Sequence, residues 1–90
     1  MEPHYFFPPA RAYPLNRFLF ALKSDDTFRT RYLGDPAATM REAGLDAEAI
    51  AALGDLDRDR LVACGAHPYL VFMASLRLRM VREPASFERF

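Results

Sequence analysis

Ninety residues carry twelve basic and twelve acidic side chains, so the formal net charge is zero, and 51% of the chain is hydrophobic against 27% charged. That length supports one domain with a thin core, and the cancelled charge removes the long-range field that nucleic-acid binding or docking on an anionic membrane requires. The single cysteine, Cys64, cannot close an internal disulfide, and neither a secretory leader pattern nor an apolar run of membrane-spanning length is present. The expectation is a cytoplasmic protein with no nucleic acid and no membrane among its partners.

Residues 1–13 contain Pro3, Pro8 and Pro9, whose rings fix φ and remove backbone donors, so this arm is expected to be extended, with Tyr5, Phe6 and Phe7 at its centre. From Pro14 the pattern becomes helical. Leu15, Phe18, Leu19 and Leu22 recur at the spacing of one helical face, which predicts a helix to about Lys23. Ser24 then has N-cap chemistry, Asp25 and Asp26 oppose the positive end of a helix dipole, and Gly34 suits a left-handed end, giving a second helix over roughly 25–33.

Asp35-Pro36 repeats the start signal and Gly44 the stop, around a short third helix with Met40 and Ala43 turned inward. Asp46 caps a fourth, with Leu45 able to close over Ile50 as a hydrophobic staple and Gly54 as its end. Leu56, Asp57 and Leu61 repeat that staple geometry in a fifth helix that stops at Gly65. His67-Pro68 opens the longest helix, Pro68 to about Arg82, which ends before Pro84. Between Tyr69 and Val81 only Ser75, Arg77 and Arg79 are polar, so its apolar surface exceeds what one buried face needs. These elements predict an all-α fold, a compact cluster of five to six short helices with an extended aromatic N-terminal arm, packed antiparallel through short connections. The division is an arm over 1–13, a helical domain over 14–82 and a tail over 83–90.

The residues give catalysis little to work with. Cys64-x-x-His67 has metal-like spacing, but a zinc site needs more ligands than this pair and His4 in the arm supply, so no metal site is expected. Cys64 reads as a small core side chain and His67 as the residue before a helix. Ser24, Ser75 and Ser86 lack a nucleophile setting, Asp55, Asp57 and Asp59 are explained by capping, and the glycines fall near helix ends with no phosphate-binding loop. What remains is surface. Tyr5, Phe6 and Phe7 either fold back over the helices or dock on a partner, as do Phe87 and Phe90 in the tail.

Leu15-Asn16-Arg17-Phe18-Leu19 at the first helix, the succession of short capped helices, and the run Leu61 to Leu70 leading into the last one resemble the small (alpha) subunit of protocatechuate 4,5-dioxygenase, the LigA-like domain of extradiol aromatic-ring-opening dioxygenases. The most specific parts are Asn16-Arg17-Phe18 and Gly65-Ala66-x-x-Tyr69-Leu70. The resemblance implies a non-catalytic chain without a cofactor of its own, which covers the active site of a large catalytic subunit holding iron(II). It also implies that the Gly65–Tyr69 junction and the final helix approach the partner's substrate pocket, with Tyr69 and Phe72 as a hydrophobic lid and His67 as a polar contact. Arg17 and Phe18, with Tyr5, Phe6 and Phe7 of the arm, are further candidates for the interface. For each of these side chains, ordinary packing is the competing reading. The alternative function is a free-standing binding or scaffold module that presents its arm or tail to another protein. A homo-oligomer that buries the surplus apolar face of the last helix against its own copy is the third.

Overall fold

The computed structural model describes residues 12–82, so residues 1–11 of the aromatic arm and the whole tail lie outside the described residues. Six helices follow one another: α1 (Tyr13–Ser24), α2 (Asp26–Gly34), α3 (Pro36–Glu42), α4 (Ala47–Asp55), α5 (Arg58–Ala63) and α6 (Pro68–Arg82). Among the described residues there is no strand, and the fold is all-α as the periodicity predicts.

Local chemistry sets the boundaries. Asp25, Asp35, Asp46 and Asp57 each occupy an N-cap, and their carboxylates accept the backbone N–H of Phe28 (3.1 Å), Ala38 (3.2 Å), Ala49 (2.9 Å) and Arg60 (3.2 Å). Each satisfies one of the N–H donors a helix start leaves unpaired. The cap of α2 is therefore Asp25, one residue later than Ser24, which completes the last turn of α1. Two glycines also differ from expectation. Gly34 and Gly54 both lie inside helices, and neither has a positive φ. The left-handed residue that ends α4 is Leu56, at φ 50°, while Gly44 and Gly65 take positive φ as expected of stop signals. Leu56 tolerates this conformation because its side chain packs against the core, which offsets the steric cost of a Cβ there.

The core gathers Leu15, Phe18, Leu19 and Leu22 of α1, Leu53 of α4, Leu61 of α5, and Val71, Ala74 and Leu78 of α6. Phe18 is its aromatic centre, with its ring edge-to-face against Phe28 at 5.0 Å and Tyr32 at 5.5 Å. One buried cation closes the corner between α1 and α2. Arg29 donates from Nε to the carbonyl of Leu22 (3.2 Å), a carbonyl at the end of α1 that has no helical partner, and its guanidinium also pairs with the exposed Asp26. Sequence neighbours pack in succession, but α6 packs chiefly on α1. These two helices begin side by side, which the expected antiparallel succession does not describe.

Candidate helix junction and interface

Besides core packing, the start of α1 and the junction before α6 are tied by the Asn16 side-chain amide. Asn16, in the second turn of α1, donates from Nδ2 to the carbonyls of Ala12 and Gly65, both at 3.1 Å, and its Oδ1 accepts the backbone N–H of His67 at 2.8 Å. Both Nδ2 protons and the oxygen are thereby used. The junction Gly65-Ala66-His67 is held in turn by its own backbone, since the Ala66 N–H reaches the Leu61 carbonyl at 3.0 Å and Ala66 is fully buried.

His67 then caps α6. Its Nδ1 accepts the Tyr69 N–H at 3.1 Å, Pro68 has no N–H to satisfy, and the Val71 N–H bonds the His67 carbonyl at 3.1 Å. The bond to the Tyr69 N–H turns Nδ1 of the imidazole toward the start of α6.

Beyond the cap, α6 divides into two sides. Val71, Ala74 and Leu78 are buried, whereas Tyr69 and Phe72 are each 55% exposed. Large aromatics that open to solvent in so small a domain are the feature most out of keeping with a self-sufficient core. Phe72 borders a cavity of about 340 Å³ with Leu56, Arg58 and Arg79. A second exposed aromatic pair lies on α1. Arg17 lies over the Tyr13 ring at 5.6 Å and Lys23 over the Phe20 ring at 4.9 Å, and both rings border a cavity of about 460 Å³ that Asn16 also lines. Asn16 is thus common to the α1 cavity and the α6 junction.

The candidates from the sequence separate accordingly. His67, Tyr69 and Phe72 come together on the first turns of α6, and Arg17 is exposed on α1. Phe18 is 2% exposed and supplies core, not surface. Tyr5, Phe6 and Phe7 lie outside the described residues. Asn16 itself belonged to the motif that carried the resemblance, but no role could be read for it, because its partners lie 49 and 51 residues away. Among the described residues no three His, Cys, Asp or Glu side chains gather where they could hold a metal ion. No helix among them is long and apolar enough to cross a membrane.

These features define a class, an all-helical domain whose elaborated part is a locked helix junction beside exposed aromatic side chains. A family model described as aromatic-ring-opening dioxygenase LigAB, LigA subunit, matches residues 15–87, and the chain belongs to that family. It is therefore related to the small subunit of an aromatic-ring-opening dioxygenase, and the family pairs that subunit with a large one. Comparison with curated proteins and with solved structures gives no match.

Proposed function

We propose that the chain is the non-catalytic small subunit of an extradiol ring-cleavage dioxygenase and covers the active site of a large subunit that binds iron(II). The observation that carries this reading is the family match over residues 15–87, which spans both Asn16-Arg17-Phe18 and the Gly65–Leu70 junction. When bound in the large subunit, the metal would supply the activation of a catechol-type substrate and dioxygen.

This chain's part is to close the site. Tyr69 and Phe72 present apolar area at the start of α6 that would exclude water from the mouth of the pocket, which strengthens the electrostatic interactions within it. His67, with Nδ1 engaged by the Tyr69 N–H, would offer a polar contact from the edge of the same turn. The test is co-expression with a large subunit encoded beside this chain. A stable heteromer that requires iron(II) and turns a catechol yellow is the expected result. A chain that purifies alone and leaves ring opening by the large subunit unchanged contradicts the reading.

A further inference from the structure

We infer that Asn16 is the positioning residue for the α6 interface, supplying in trans the half of a capping box that α6 lacks. In a capping box the side chain of the third helical residue reaches back to the N–H of the N-cap residue. In α6 that third residue is Leu70, which has no acceptor, and the N–H of the cap residue His67 is taken by Asn16 Oδ1 at 2.8 Å. The N-cap side chain acts one position early, His67 Nδ1 accepting the N–H of Tyr69 at the second helical residue at 3.1 Å and not that of Leu70 at the third.

The consequence is a start of α6 defined from two helices at once. Asn16 Nδ2 holds the Gly65 carbonyl while Oδ1 holds the His67 N–H, so the chain on both sides of Ala66 is referred to one rigid point on α1. Tyr69 follows His67 by two residues, and its N–H depends on the His67 ring. A shift of Asn16 moves the cap and the exposed aromatic ring together. Asn16 acts through the cap residue His67 and not as a contact residue of the interface; it sets where the cap and the ring stand. As a statement about the interface this rests on the proposed function, whereas the effect on the junction does not.

The test uses the full chain with Asn16→Ala, which removes all three bonds, and Asn16→Asp, which keeps an acceptor for His67 but loses the donor to Gly65. Amide hydrogen exchange is read at His67, Tyr69 and, as reference, Leu53 of α4. In Asn16→Ala the His67 amide is expected to exchange about tenfold faster relative to Leu53, the size of one lost hydrogen bond, and in Asn16→Asp to stay within about twofold. With the large subunit, Asn16→Ala is expected to raise KM for a catechol about tenfold with kcat retained, and Asn16→Asp to fall between it and wild type. Equal acceleration at His67 and Leu53, or none in either variant, overturns the positioning role, as does a loss in kcat with KM unchanged. A wild-type chain that fails to bind the large subunit sinks the proposed function alone, because the exchange ratio still decides the part played by Asn16.

Discussion

Asn16 and His67 stand 51 residues apart in the chain and are joined by a 2.8 Å hydrogen bond from the His67 N–H to the Asn16 side-chain oxygen. That bond brings together the two segments that carry the resemblance to the dioxygenase small subunit. A motif spread over both ends of a domain has one physical meaning here. The first helix supplies an acceptor and a donor, and the last helix begins where they place it.

Tyr69 and Phe72 contribute surface and little core, so truncating Phe72 to Ala leaves the fold nearly intact. We expect a stability change within about 0.5 kcal/mol by chemical denaturation. The same substitution removes an aromatic anchor from the proposed interface and is expected to weaken binding to the large subunit about tenfold or more, read by calorimetric titration. Unchanged affinity would show that this face is not the one that docks.

Phe18 is predicted to behave in the opposite way. It is 2% exposed and its ring meets Phe28 and Tyr32 edge-to-face. Phe18→Ala is expected to cost about 3–5 kcal/mol, a large share of the stability of so small a domain. Thermal unfolding followed by circular dichroism measures this, and a loss under about 1 kcal/mol would mean that the aromatic centre is not where the core is held.

The pair Arg29–Asp26 is lopsided, with side chains 9% and 96% exposed. Asp26→Asn removes a solvated partner and is expected to cost under about 1 kcal/mol. Arg29→Met strips the Leu22 carbonyl of its donor at the α1–α2 corner, and about 1–3 kcal/mol is expected. Urea denaturation of the two variants compares them directly. The reverse order would show that the ion pair, and not the carbonyl cap, is what Arg29 contributes.

Much of this architecture is legible in the residues. Asp35, Asp46 and Asp57 identify their own helix starts because a short carboxylate before a helical pattern has one efficient use, and α6 opens at Pro68 as His67-Pro68 predicts. The exposed side of α6 is visible too, as apolar residues in excess of one face. Other features escape for identifiable reasons. Ser24 and Asp25 are adjacent and equally able to cap, so local chemistry does not choose between them. Gly54 has the composition of a stop, yet the helix runs one residue further and turns at Leu56, whose side chain gains burial by doing so. The burial of Arg29 and the reach of Asn16 depend on how distant helices meet, and no periodicity reports that.

In the proposed function this chain serves a catalytic partner by closing over its site through the start of α6. The most direct measurement is the steady-state ring opening of a catechol by the iron(II)-loaded large subunit, with and without this chain. We predict a rise in kcat/KM of about tenfold or more on adding the chain, as exclusion of water and positioning of substrate contribute at this level or above. Identical kcat/KM with and without a saturating excess of the chain would contradict the account.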